Sequence, residues 1–176
     1  MLEALDYSNR RGIIVPMLEG IYKMISEQAS GDKRANLPPL PNRVIWKQRM
    51  RRELVDIKTR WIFALDGAAI AGFLFFRAAE ESGGGLSAYI EELAIAAEYR
   101  GEGLALGALI DKFMNENYIR GGPRVFAGER IRRGDGEELL ASVGLGGEYP
   151  GGYEPLGTPN EAAEALRDRY SGVRDS

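Results

Sequence analysis

Apolar residues recur at Ile14, Met17, Leu18, Ile21 and Ile25, the spacing of one helix face, after a short run at residues 2 to 7 that reads as a strand. Pro16 is tolerable only in the first turn of such a helix, which is therefore expected to begin close to Val15. Residues 35–42, ANLPPLPN, cannot be regular helix or central strand and predict a stiff surface loop. A second helix follows, with Trp46, Met50, Leu54 and Ile57 on one face and Lys47, Arg49, Arg51, Arg52 and Lys58 mostly elsewhere. Those cations read as a solvated face, with a surface for an acidic partner as the weaker alternative.

Three strands are then expected in a meander: residues 61–65, residues 69–77 after an Asp66-Gly67 hairpin turn, and residues 86–96. From Leu104 the period changes from two to 3.6, and Leu106, Leu109, Ile110 and Phe113 form an apolar stripe that runs to about Asn117. Gly121-Gly122-Pro123 stops that helix. A strand near residues 124–132, a short helix near 135–143 ending at Gly144, and a glycine-rich stretch with Tyr149 and Tyr153 follow. The tail carries its own start signal, because Thr158, Pro159 and Glu161 fit the N-cap, first and third positions of a capping box. A helix from 159 to about 170, docked by Leu166 and Tyr170, is expected. The division this suggests is a main domain over residues 1–155 and a helical extension over 156–176.

Composition narrows the chemistry. The 176 residues include neither Cys nor His, so thiolate nucleophiles, imidazole bases, a Ser-His-Asp triad and metal sites built on either ligand are excluded. Carboxylates, phenols, backbone amides or a bound cofactor must carry any catalysis. A net charge of −3 argues against bulk polyanion binding but leaves room for a local basic patch. The most membrane-like stretch, residues 61–76, is too short for a span and holds Asp66-Gly67 in its middle, and acids near the start oppose a secretory signal. The chain therefore reads as a cytoplasmic protein without membrane insertion.

The segment YIEELAIAAEYRGEGLALGALI, residues 89–110, runs strand, glycine turn, helix. Gly101 and Gly103 allow the backbone to turn tightly and approach a ligand, while the following helix offers unpaired N–H groups and the positive end of its dipole. A diphosphate suits such a turn. A nucleotide P-loop would need Gly-Lys-Ser/Thr where Leu106-Gly107-Ala108 stands, and a dinucleotide fingerprint would need glycine at Leu106 and a parallel strand alternation.

Arg100-Gly101-Glu102-Gly103-Leu104-Ala105 instead resembles the Arg/Gln-x-x-Gly-x-Gly/Ala signature of the GNAT N-acetyltransferase superfamily, and Glu92 to Tyr99 resembles that family's fourth strand and its approach to the turn. The element order from about residue 2 to 155 is similar too. The resemblance implies an α/β (α+β) fold with a mixed, mostly antiparallel sheet of six to seven strands, splayed between the fourth and fifth. It implies acetyl-CoA as co-substrate and an amine acceptor, joined by direct transfer in a ternary complex. Amides of Arg100, Gly101, Glu102, Gly103, Leu104 and Ala105 would hold the diphosphate, and Leu93, Ala94 and Ile95 would line the pantetheine arm, with an amide near Ile95 or Leu93 polarising the thioester carbonyl.

For the acceptor, a base is needed, and Glu92 and Glu91 are the candidates. Adjacent strand residues face opposite sides, so at most one points into the cleft unless a bulge shifts the phase. Glu92 is preferred because the family often carries an acid three before the strand's last branched residue, here Ile95. Tyr89 could hold a water instead. The tyrosine that many members carry four residues before the terminal glycine of the last short helix is replaced by Leu140, so the general acid would be solvent or another phenol, Tyr149 foremost, then Tyr153 or Tyr118. Two alternatives remain open: an acyl-CoA-binding regulatory module with little catalysis, and a GNAT-fold enzyme acting on nucleic acid, to which Arg130, Arg132 and Arg133 could contribute although an ordinary surface role is favoured. A homodimer is allowed.

Overall fold

Successive residues of the central strands alternate between two apolar cores, and this alternation sets the architecture. In the computed structural model, which describes residues 1–30, 40–80, 86–101, 103–115, 124–128, 131 and 153–171, six strands lie side by side in chain order. They are β1 (Leu2–Asp6), β2 (Thr59–Asp66), β3 (Ala69–Glu80), β4 (Leu86–Ile95), β5 (Val125–Ala127) and β6 (Glu154–Gly157). All neighbours are antiparallel except β4 and β5, which run parallel. The helices are α1 (Arg11–Ser30), α2 (Arg43–Leu54), α3 (Leu104–Asn115) and α4 (Pro159–Ser171).

Trp61, Phe63, Phe73 and Phe75 pack on one side of the sheet against Ile14, Leu18, Ile21 and Ile25 of α1 and Trp46 and Leu54 of α2. Trp61 stacks on Phe75 with ring centres 4.3 Å apart. Ile62, Leu74, Phe76, Ile90 and Leu93 face the other way, onto Leu109, Ile110 and Phe113 of α3 and Ala162, Ala163 and Leu166 of α4. Both sheet faces are thus covered, so β2 and β3 read as nearly continuous apolar runs. Among the described residues no helix is long and apolar enough to cross a membrane.

The strand expected over 124–132 is confined to Val125–Ala127, that expected over 69–77 runs on to Glu80, and two helix boundaries also differ from expectation. α1 begins at Arg11 rather than near Val15, leaving Pro16 in its second turn. Gly12, whose carbonyl loses its partner at Pro16, and Pro16 itself are both exposed, so the missing bond faces solvent. The start is fixed by Arg11, whose guanidinium donates to the carbonyls of Ser8, Leu54 and Asp56. The same contacts end α2, and a cation there also suits the negative end of the helix dipole. Ile57 consequently lies beyond α2 and is 80% exposed instead of joining its apolar face. Thr59, fully buried, secures the turn by sharing its hydroxyl between the carbonyls of Glu53 and Asp56, each at 2.8 Å.

The expected loop over 35–42 lies mostly, and the short helix over 135–143 wholly, outside the described residues, as do Arg130, Arg132 and Arg133. The capping box is present as expected: Glu161 N–H donates to Thr158 Oγ1, and Thr158 N–H donates back to Glu161 Oε1.

Candidate active site

β4 is the spine of the site. It pairs with β3 along its length, from Leu86 to Ile95, but with β5 only over Ala88, Tyr89 and Ile90. A final bond from Gly128 N–H to the Ile90 carbonyl, 2.8 Å, closes that ladder. Beyond it the two parallel strands part, and the β4 edge that faces away from β3 needs other partners. A side chain supplies them. Gln28, in the last turn of α1 and only 9% exposed, donates from Nε2 to the Leu93 carbonyl at 2.9 Å and accepts at Oε1 from Ile95 N–H at 2.8 Å.

A bulge sits where the strands part. Phe75 of β3 faces Glu92 and the next residue, Phe76, faces Ile90, so Glu91 is the extra residue. The phase therefore shifts between the two acids. Glu92 lies opposite Phe75 and shares its face, the α1 and α2 side. Glu91 reaches the same side, where its carboxylate accepts from the Tyr153 hydroxyl and stands 3.6 Å from Arg77 Nε. Arg77 lies opposite Tyr89 and also binds Glu53 and Asp56. Burial works to lower the Arg77 pKa, but hydrogen bonding and charge from Glu53, followed by Glu91, outweigh it, and the net shift is upward. Tyr89 is buried at 3%, stacked on Phe126 at 5.0 Å and edge-on to Tyr153 at 5.1 Å.

After Ile95 the chain makes one tight turn over Ala97–Tyr99. Tyr99 hydroxyl donates to Asp66 Oδ2 at 2.9 Å, which anchors this approach to the β2–β3 hairpin. That hydrogen bond and then the terminal amino group hold the Asp66 carboxyl below its ordinary range. Gly101 has φ 101° and Gly103 φ 75°, values that disfavour any side chain. α3 starts at once, and its first internal bond runs from Gly107 N–H to the Gly103 carbonyl. The amides of Leu104, Ala105 and Leu106 therefore precede the helix ladder and have no acceptor within it.

Arg100 folds back from this turn, and its Nε donates to the Ile95 carbonyl at 2.8 Å. Its Nη2 is buried without a hydrogen-bond partner among the described residues. Burial lowers the Arg100 pKa, against the opposing pull of Glu27 and Glu98. A buried unsatisfied donor is rare and costly, and it marks a place where an acceptor would be stabilised.

The parted strands, the bulge and the glycine turn thus bring together Leu93, Ala94, Ile95, Arg100, Gly101, Gly103, Leu104 and Ala105 along one continuous path, with Glu91, Glu92 and Tyr89 upstream on β4. Glu102, Leu140, Tyr118 and Tyr149 lie outside the described residues. Sequence reasoning missed Gln28 and Arg77. Gln28 carried a signal, since it continues the buried stripe of Ile21 and Ile25 with a polar residue, whereas Arg77 carried none beyond its apolar setting.

A mixed sheet whose parallel fourth and fifth strands diverge above a glycine turn defines the fold class, that of the GNAT acetyltransferases. Comparison with solved structures agrees. The ribosomal-protein-alanine N-acetyltransferase from Brucella melitensis biovar Abortus 2308 superposes with a TM-score of 0.52 at 16% identity, covering 72% of this chain and 80% of that one. The aminoglycoside acetyltransferase meta-AAC0020 from an uncultured soil metagenomic sample, in complex with sisomicin, also gives 0.52 at 16% identity, covering 78% of this chain and 80% of its own. No protein-family profile and no curated protein sequence matches the chain. The chain has the GNAT fold.

Proposed function

We propose that this protein is an acetyl-CoA-dependent N-acetyltransferase that passes the acetyl group directly to an amine within a ternary complex. The observation that carries the reading is the continuity of the β4 edge, unpaired by any described strand beyond Ile90, with the glycine turn and the first amides of α3, which have no acceptor within the helix. The two solved neighbours add support, one named for acting on a ribosomal-protein alanine and the other for acting on aminoglycosides.

The residues fit such a co-substrate. Gly101 and Gly103 keep side chains away from the turn, the amides of Leu104 and Ala105 offer donors at the positive end of α3, and the orphan Nη2 of Arg100 offers another. These groups suit a diphosphate. Leu93, Ala94 and Ile95 offer a strand edge to an amide-bearing arm. Acetyl-CoA supplies the activated acetyl group as a thioester. An N–H of this edge, that of Leu93 or, once its bond to Gln28 is broken, that of Ile95, would donate to the thioester oxygen, which requires no side chain.

The acceptor ammonium must lose a proton before it can attack. Glu92, opposite Phe75 on the α1 and α2 face and three residues before Ile95, takes the role of base, directly or through a water, and Glu91, bound by Tyr153 and beside Arg77, is the second candidate. Tyr89 and Tyr149 are the secondary candidates, for holding that water and for returning a proton. The proposal expects acetyl-CoA to raise the melting temperature and a member of an amine panel to release free CoA. Glu92→Gln should lower turnover by roughly a hundredfold while cofactor binding stays nearly unchanged, as loss of a general base does. Unchanged turnover removes Glu92 from that role. Cofactor binding without CoA release from any amine, peptide or nucleic acid would instead identify a binding module.

A further inference from the structure

Beyond Ile90 no described strand pairs with the outer edge of β4, and Gln28 brings a side-chain carboxamide to it. In a parallel sheet one residue of a neighbouring strand donates its N–H to the carbonyl of residue i−1 and accepts from the N–H of residue i+1. The carboxamide of Gln28 does this to Leu93 and Ile95, on either side of Ala94, so one side chain stands in for one residue of a missing parallel neighbour. The orientation of the amide follows from chemistry, because Leu93 offers only a carbonyl and Ile95 only an N–H, and the reversed carboxamide would oppose both.

We infer that Gln28 is a built-in competitor for the cofactor arm, which must swing out of the β4 edge before the arm can bind there. The inference rests on the acetyl-CoA reading above and deepens it. Ile95 has a single amide proton, already 2.8 Å from Gln28 Oε1, and it cannot serve a second acceptor at full strength. Any ligand amide that takes the Leu93 and Ile95 pair therefore displaces Gln28. Without ligand, the same side chain keeps a buried strand edge satisfied, which is a reason for a glutamine to stand on the apolar face of α1. The competent, vacated edge is then a minor state, and apparent affinity falls by the fraction of molecules in it. Gln28 also sets a selectivity: a ligand recovers the lost bonds only if it presents both a donor and an acceptor, as an amide does and a plain thioester does not.

The test measures binding of CoA and of ADP, which carries the diphosphate but no arm, to the full-length wild type and to Gln28→Ala. The variant should bind CoA roughly tenfold more tightly, the order expected when one or two competing hydrogen bonds disappear, and ADP equally. CoA binding that is unchanged or weaker in the variant overturns the inference while leaving the acetyl-CoA reading in place, and so does an equal gain for ADP. Absence of CoA binding to both proteins overturns both. Because the substitution leaves two buried backbone groups unpaired, the wild type supplies a second measurement: the side-chain amide protons of Gln28 should exchange slowly without ligand and lose that protection on CoA saturation. Protection retained in the complex means that Gln28 stays on β4, and the inference fails.

Discussion

Arg77 is bound by Glu53 from the last turn of α2, Asp56 from the turn that follows, and Glu91 from the β4 bulge. Three segments are thus tied to one guanidinium that is 18% exposed in its side chain, with Glu53 and Glu91 at 24% each. Removing the cation would leave partly buried carboxylates facing one another, and the penalty for an unpaired buried charge usually exceeds the value of the pair. Arg77→Met should therefore destabilise the fold by about 2 kcal/mol, below the range for fully buried pairs because solvent screens part of the charge. The urea midpoint measures this, and Glu53→Gln should recover part of the loss when combined with it. An unchanged midpoint in the single variant would mean that the network does not hold the bulge. The two acids of β4 were legible in the sequence as a pair, and so was the condition under which both could face one side. That the condition is met was not legible, because a bulge depends on the register with β3, and neither strand alone carries it.

Helix boundaries separate local signals from distant ones. The start of α4 is written in four adjacent residues, and the reciprocal bonds between Thr158 and Glu161 form as the capping pattern implies. Thr158→Ala should cost about 1 kcal/mol, since it orphans an amide in the first turn, and replacement by Ser should recover most of it. A chemical melt of the two variants checks the pair. α1 is the opposite case. Its periodicity gave the buried face correctly through Ile14, Leu18, Ile21 and Ile25, but its start was misplaced by the weight given to Pro16. What sets that start is the reach of Arg11 to carbonyls more than forty residues away, at Leu54 and Asp56. The same bonds stop α2 and strand Ile57 in solvent, so one long-range contact accounts for both errors. The glycine turn was readable for the reason α4 was: positive φ at Gly101 and Gly103 is a demand that a short stretch of sequence states by itself.

At the scale of the molecule, the sheet separates two cores, and α3, whose start follows the glycine turn proposed to hold the diphosphate, covers one of them. The far wall of that core is α4, where Ala162, Ala163 and Leu166 are buried together with Leu109, Ile110 and Phe113. Arg169 reinforces the contact by binding Glu154 of β6 and reaching the Ile131 carbonyl at 3.4 Å. The residues set apart by sequence as an extension, 156–176, thus lend side chains to the helix whose first amides face the proposed ligand. If α4 were only a surface appendage, truncating one of its side chains would cost next to nothing. Leu166, 1% exposed, is the discriminating position. Leu166→Ala should lower stability by roughly 3 kcal/mol, as a leucine-sized cavity in a packed core does. Because the cavity would open behind α3 and not at the Gly101 to Ala105 turn, the affinity for CoA should change far less than the stability, provided the protein is kept below its lowered melting point. A melting temperature within a degree or so of wild type would place α4 outside the cooperative unit, since a loss of that size shifts the midpoint of a domain this long by several degrees.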